Sequence, residues 1–282
     1  MKQINSSVEI QSFARESCRR GKSIALVPTM GFLHDGHLKL MQEARKRADL
    51  VIVSIFVNPI QFGPNEDLDR YPRDLEGDLA KCQSVGVDVV FTPTPKELYP
   101  DHFQTAVNVS EITKVLCGAS RPNHFQGVTT VVSKLFNLTL PDFAFFGEKD
   151  FQQLAVIRRM VIDLNFPLEI IGVPIVRESD GLAMSSRNAY LPARERAEAP
   201  AIHKALTYAK ELYSQGNRNA TELCQAVTAQ LNKSIESNFN IEYIEIYDSQ
   251  HLVRIENTIS APATILIAVH LGKTRLIDNL QL

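Results

Sequence analysis

Two histidines three residues apart, His34 and His37, stand in the stretch Val27-Pro28-Thr29-Met30-Gly31-Phe32-Leu33-His34-Asp35-Gly36-His37, and no other short stretch is better composed for chemistry. Side chains at that spacing across a helix start lie on one side of it, so both imidazoles can face a bound phosphate and stabilise developing charge. Gly31 and Gly36 let the backbone turn tightly and approach a ligand closely. A helix beginning near Gly36 presents unpaired amide N–H groups to the loop, which makes the stretch an anion site. Two plainer readings remain open. A His-x-x-His pair can hold zinc, although neither a third ligand nor the Glu of His-Glu-x-x-His is evident. The histidines can also be capping or core residues without chemistry.

Two other loops carry charge where a nucleotide would need it, Gly147-Glu148-Lys149-Asp150 and Met184-Ser185-Ser186-Arg187. Lys149 follows an apolar run and can neutralise a phosphate, while Asp150 can accept hydrogen bonds from ribose hydroxyls. Ser185 and Ser186 supply hydroxyl donors, and the planar guanidinium of Arg187 matches phosphate oxygens. The plainer readings are a solvated surface pair for the first loop and a surface turn for the second.

The elements that must position these loops follow from apolar periodicity. Residues 8–20 read as an opening helix. Residues 23–27 read as a short buried strand, 36–48 as an amphipathic helix and 50–57 as a second buried strand, a βαβ unit. A helix over 75–85, a strand over 87–91 and a Pro-rich turn over 92–100 come next. An alternating strand over 105–109, a short helix capped by Ser110 and a helix over 128–138 continue the series. A strand over 142–146, a helix carrying Leu154, Ile157, Met160 and Val161, and a strand over 168–176 close it. Strands alternating with helices predict a doubly wound, Rossmann-like parallel sheet of class α/β, with ligands at the strand ends.

After residue 176 the pattern changes to a polar loop over 180–188, two helical stretches, and strands over 241–247 and 263–270. The expectation is two domains: residues 1–175 bind the nucleotide and its acceptor, and residues 176–282 form a smaller α+β domain closing over the ligand between them. Residues 62–77 are polar and interrupted by Gly63, Pro64 and Pro72, the composition of a lid.

Composition narrows the function classes. The 282 residues carry a formal charge of −2, with 44% apolar and 22% charged residues. No general field for nucleic acid exists, and no apolar run approaches the roughly 20 residues that span a bilayer. Cys18, Cys82, Cys117 and Cys224 lie far apart, and the first residues lack an apolar signal core. The expectation is reduced thiols and a cytoplasmic protein.

The His34-Asp35-Gly36-His37 spacing after a strand resembles the signature of the nucleotidyltransferase superfamily. Beyond it, Phe56-Val57-Asn58-Pro59-Ile60-Gln61-Phe62 through Tyr71-Pro72-Arg73, Phe146-Gly147-Glu148-Lys149-Asp150 with Gln153, and Met184-Ser185-Ser186-Arg187-Asn188 together resemble the pantothenate synthetase (pantoate:beta-alanine ligase) family over essentially the whole chain. The resemblance implies a carbon–nitrogen ligase that forms pantoyl adenylate from pantoate and ATP, then transfers the pantoyl group to beta-alanine. It makes the expected 1–175 domain the nucleotide- and pantoate-binding one. It implies ATP binding by Met30, Gly31, Phe32, Leu33, His34, Asp35, Gly36, His37, Gly147, Glu148, Lys149, Asp150, Val176, Met184, Ser185, Ser186 and Arg187. It places Gln61 and Gln153 at pantoate, with Gln61 also near beta-alanine, and gives His37 the role of catalytic acid. A homodimer is likewise implied. His34, His37, Lys149, Arg187 and Mg²⁺ suit a reaction that brings a carboxylate to a polyphosphate. Neutral glutamine amides suit an acceptor carboxylate that must stay nucleophilic. The metal ligands are not assigned. Arg187 stands where the analogous loop of aminoacyl-tRNA synthetases ends in lysine. The competing classes are a nucleotidyltransferase with another acceptor, which would want basic residues at positions 61 and 153, and a non-catalytic nucleotide-sensing module.

Overall fold

A computed structural model describes residues 1–64 and 66–282. The segment 62–77 expected as a lid contains Asn65, which lies outside the described residues. The chain divides into two compact units, Met1–Glu148 with Val156–Pro174, and Lys149–Ala155 with Ile175–Leu282.

The first unit is a six-stranded, all-parallel sheet built from β1 (Lys2–Ile4), β2 (Ile24–Thr29), β3 (Leu50–Ile55), β4 (Val89–Phe91), β5 (Phe143–Gly147) and β6 (Glu169–Val173), in the order β1-β4-β3-β2-β5-β6. Ile24, Ala25, Leu26 and Val27 of β2 are all fully buried, as a strand covered on both faces requires. Each large side chain so buried contributes about 1.5–3 kcal/mol. Helices α1 (Ser7–Arg19), α2 (Asp35–Arg47), α3 (Leu75–Ser84), α4 (His124–Thr139) and α5 (Phe151–Asp163) connect the strands. Leu40, Met41 and Ala44 of α2 and Cys82 of α3 share one apolar cluster with Ala25, Val27, Val51 and Val53. On the opposite face α1 and α4 meet each other and β2. The chain runs outward from β2 through β3 and β4, then returns to β5 on the other side of β2. That reversal is the switch point where doubly wound sheets leave a crevice at the carboxyl ends of their strands.

The second unit carries an antiparallel sheet, β7 (Phe239–Asp248), β8 (Ala263–Leu271) and β9 (Thr274–Gln281), in that order. It is covered by α6 (Ala201–Ser214) and α7 (Ala220–Ser234). Leu206, Leu223, Val227, Leu231, Ile265, Ile267 and Val269 form its core.

Several local expectations need correction. Residues 105–109 form no strand, and Ser110 is followed by a turn over 111–114 rather than by a helix. The alternation there serves docking on α4: the Val107 N–H donates to Thr130 Oγ1 at 3.0 Å, and Thr129 Oγ1 donates to the Val107 carbonyl at 2.6 Å. The strand expected over 168–176 ends at Val173, because Pro174 cannot donate to a ladder. Val176 instead accepts the Met184 N–H at 3.0 Å in a separate hairpin. The edge strands β1 and β9 leave no clear period in the sequence. β1 has only three residues, two of them exposed, and the alternation of β9 is diluted by buried polar residues.

Candidate active site

The loop after β2 is fixed from both sides. Thr29 Oγ1 donates to the Ser54 carbonyl at 2.8 Å and accepts the Gly31 N–H at 3.3 Å. The Asp78 carboxylate on α3 then accepts the Phe32 and Leu33 N–H groups at 2.8 and 2.7 Å. One turn further along α3, Lys81 Nζ donates to the Leu33 carbonyl at 2.7 Å. Gly31 has φ +83°, and a Cβ there would lie 2.9 Å from Asp78 Oδ2 and 3.0 Å from Ile55 Cγ2. Only glycine fits that conformation and clearance. Asp78 is almost fully buried and did not stand out in the sequence. Its one signal was an acidic residue four positions before buried Cys82, on the inward face of α3.

His34 is the N-cap of α2. Its Nδ1 accepts the Gly36 N–H at 3.2 Å, and His37 Nδ1 accepts the His34 N–H at 3.2 Å, a reciprocal capping box made of two imidazoles. The ring centroids are 4.1 Å apart and tilted by 46°. The amides of His34 and Gly36 are therefore already satisfied, in contrast to the expectation of unpaired N–H groups at this helix start. The capping reading and the chemical reading are compatible in one geometry. With Nδ1 of each ring an acceptor, the neutral ring carries its proton on Nε2.

Gln61 ends the turn Pro59–Gln61 and is buried. Asn58 Nδ2 donates to Gln61 Oε1 at 3.0 Å, so Gln61 Nε2 is turned toward Met30 Sδ, 3.3 Å away. A thioether is a weak acceptor, and a carboxylate would replace it at a gain. Asn58 is itself held, donating to the Gly127 carbonyl at 3.1 Å and accepting the Tyr99 hydroxyl at 2.8 Å. Burial pushes the Tyr99 hydroxyl far above its ordinary pKa, so it stays a neutral donor. A Cβ on Gly127 would lie 2.7 Å from Gln61 Cα, so the close approach of α4 to this turn requires glycine. His124 Nδ1 is 2.8 Å from the Gln61 carbonyl, which assigns that nitrogen a proton and leaves Nε2 to accept from Arg121 Nη1 at 3.2 Å. Arg121 also pairs with Glu66 through both carboxylate oxygens. Burial alone would raise the Glu66 carboxyl, but the guanidinium outweighs it and holds the group below its ordinary value. Asn58, Tyr99, His124 and Gly127 were all missed as site residues. In the sequence Asn58-Pro59 ends an apolar run and belongs to the stretch around Gln61 that carries the family resemblance, with no role of its own assigned.

The second unit assembles another set. Lys149, Ala183, Ser185, Asn188 and Asp278 line one small cleft. Ser185 Oγ accepts the Arg187 N–H at 3.3 Å and so caps the turn Ser186–Tyr190. Asn188 Nδ2 donates to Glu178 Oε1 and to the Ala183 carbonyl at 2.8 and 3.1 Å. Gln153 is half-buried in the first turn of α5, and Asp150 is exposed. Met30, His34, His37 and Gln61 belong to the first unit, whereas Lys149, Gln153 and Ser185 belong to the second.

A doubly wound parallel sheet with a His-x-Gly-His helix start at its switch point defines the class, an α/β protein with a candidate ligand site at the carboxyl ends of its strands. Comparison with known proteins narrows it. Residues 2–281 match the Pantoate-beta-alanine ligase family. A pantothenate synthetase of Geobacter sulfurreducens is 53% identical over 279 residues, 99% of this chain and 98% of the relative. A pantothenate synthetase crystal structure from Thermus thermophilus superposes with a TM-score of 0.93 at 44% identity, covering 100% of this chain and 99% of the other. A pantoate-beta-alanine ligase from Francisella tularensis, complexed with beta-gamma ATP and beta-alanine, gives a TM-score of 0.80 at 34% identity, covering 100% and 97%. The chain belongs to the pantoate-beta-alanine ligase family.

Proposed function

We propose that this ligase joins pantoate to beta-alanine in two steps through pantoyl adenylate. In the first, a pantoate carboxylate oxygen attacks the α-phosphorus of ATP and the bond to pyrophosphate breaks. In the second, the beta-alanine amine attacks the pantoyl carbonyl carbon, AMP leaves, the amine gives up a proton, and pantothenate is formed. The observation that carries this reading is the pair of imidazoles whose Nδ1 atoms are both occupied by backbone amides. Their Nε2–H groups are preorganised donors for phosphate oxygens that gain charge as pyrophosphate departs, with His37 as the acid. Such donors are worth most in a dry site where they need no reorganisation.

Lys149 and Arg187 add cationic charge over the phosphates, while Ser185 and Ser186 supply hydroxyls. Met30 to Leu33, Gly147, Glu148, Asp150, Val176 and Met184 complete the ATP contacts. Among the described residues no group of three or more His, Cys, Asp or Glu is arranged to hold a metal ion. Mg²⁺ would accompany ATP as its counter-ion and would neutralise phosphate charge beside Lys149 and Arg187. Gln61 and Gln153 bind pantoate through neutral amides, and Gln61 also borders beta-alanine. An arginine in their place would pair with the carboxylate and lower its nucleophilicity. Among the described residues no helix is long and apolar enough to cross a membrane, and the four cysteines are free thiols. The family resemblance supports a cytoplasmic homodimer. The test is AMP formation from ATP with pantoate and beta-alanine, each omitted in turn. The full reaction should need all three, and AMP formation that ignores pantoate would refute the reading.

A further inference from the structure

The last strand of the chain carries near its end two adjacent buried polar residues, Asp278 and Asn279, to which the mechanism above gives no part. Asn279 Nδ2 donates to the backbone carbonyl of Lys149 at 3.0 Å. Asp278 grips Arg177 bidentately, accepting Nη1 at 2.6 Å and Nη2 at 3.0 Å, and its Oδ1 also accepts the Asn279 N–H at 2.8 Å. Arg177 Nη1 reaches on to the Gly181 carbonyl at 3.2 Å. It thereby braces the hairpin in which Arg177 pairs with Ala183 and Val176 accepts the Met184 N–H. That hairpin delivers Ser185 to Arg187.

One point on β9 thus holds both cation-bearing segments of the second unit. A lysine ammonium sits at the end of four rotatable bonds, so its reach toward a phosphate depends on where its backbone is anchored. Lys149 lies in the short turn Glu148–Asp150 between a strand and a helix, and Asn279 fixes that turn from outside it. Burying a carboxylate and a guanidinium is costly unless their geometry is excellent, and the side chain of Asp278 is only 4% exposed. The fork-to-fork pairing with Arg177 fixes direction as well as distance. Leu276, Ile277 and Asp278 line the same cleft as Lys149 and Ser185, so β9 forms one wall of it.

We propose that Asn279 is a positioning residue for Lys149, with Asp278 and Arg177 setting the Ser185–Arg187 turn in register with it. The proposal rests on the reading of Lys149 as a catalytic cation. It is tested with Asn279→Asp, which is isosteric but offers no hydrogen to the Lys149 carbonyl, and with Asn279→Ala, which adds no charge beside Asp278. Each is made alone and with Lys149→Ala, and kcat is read by pantoate-dependent exchange of pyrophosphate into ATP. Thermal unfolding midpoints identify which of the two single variants is folded. Displacements of the order of 1 Å can cost about 100-fold in rate, so the single variants should lose roughly 10- to 100-fold in kcat. Their KM for pantoate should stay within about twofold. In the Lys149→Ala background the Asn279 substitution should cause almost no further loss, because groups acting as a unit are non-additive. Undiminished kcat in the single variants, or losses that multiply, would overturn the proposal. Normal turnover in Lys149→Ala would overturn the reading of Lys149 and the proposal together.

Discussion

Substituting asparagine for His34 or His37 separates the two duties that the imidazoles combine. Asparagine Oδ1 occupies the place of histidine Nδ1 and can accept the same backbone N–H, but nothing replaces Nε2. At position 34 it is also among the best N-cap residues, so His34→Asn should keep the Gly36 N–H bond now 3.2 Å long. Alanine there removes both functions, at a capping cost of about 0.5–2 kcal/mol, or at most about 4 °C in Tm per kcal/mol for a protein approaching this size. The asparagine enzyme should therefore unfold within about 1 °C of the unmutated one, while pantoate-dependent pyrophosphate exchange falls about 10²- to 10³-fold, or roughly 3–4 kcal/mol. His37→Asn should behave alike, because its Nδ1 serves the His34 N–H in the same way. The assay pairs thermal unfolding with exchange rates on four enzymes, Asn and Ala at each position. Full exchange in both asparagine enzymes would refute the chemical role and leave the histidines as caps.

Four further substitutions probe the surroundings. Asp78→Ala removes two bonds from a buried carboxylate to the Phe32 and Leu33 amides, worth about 3 kcal/mol or more together. Those two amides should lose hydrogen-exchange protection and kcat should fall, whereas unchanged protection would show that α3 does not hold the loop. Gln61→Ala and Gln153→Ala should raise KM for pantoate and leave KM for ATP nearly unchanged; an equal loss of ATP affinity would contradict their acceptor role. Burial, aided by the Arg177 guanidinium and opposed by Asp278, holds His203 below its ordinary value of 6.5. The unfolded chain therefore takes up this proton first, so the contribution is complete above pH 6.5 and is lost as pH falls through 6.5 toward the folded value. The Tm of His203→Gln should fall less between pH 7.5 and 5 than that of the unmutated protein, and parallel curves would exclude a role for this residue.

The parallel sheet was legible because Ile24 to Val27 and Val51 to Val53 are continuous apolar runs, as strands buried on both faces must be. The His loop was legible because glycines and histidines at helix-start spacing have few structural uses. What holds the loop was not legible. Asp78 lies about forty-five positions from the amides it accepts, and an aspartate in a charged helix reads as a solvated residue until the fold brings it inward. Asn58 is locally a strand terminator, and its bond to Gln61 becomes meaningful only once Tyr99 and Gly127 close around it. Asn279 is separated from Lys149 by 130 positions and lies in a strand whose alternation it helps to obscure. The proposed ligand groups carry a local signature in residue type and spacing, whereas their supports depend on long-range pairing that no local period encodes.

Isotope exchange without the second substrate tests the adenylate route most directly. With labelled pyrophosphate, ATP, Mg²⁺ and pantoate but no beta-alanine, label should enter ATP at a rate that depends on pantoate, and beta-alanine alone should support none. Exchange that requires beta-alanine, or ADP in place of AMP and pyrophosphate, would contradict attack at the α-phosphate by the pantoate carboxylate.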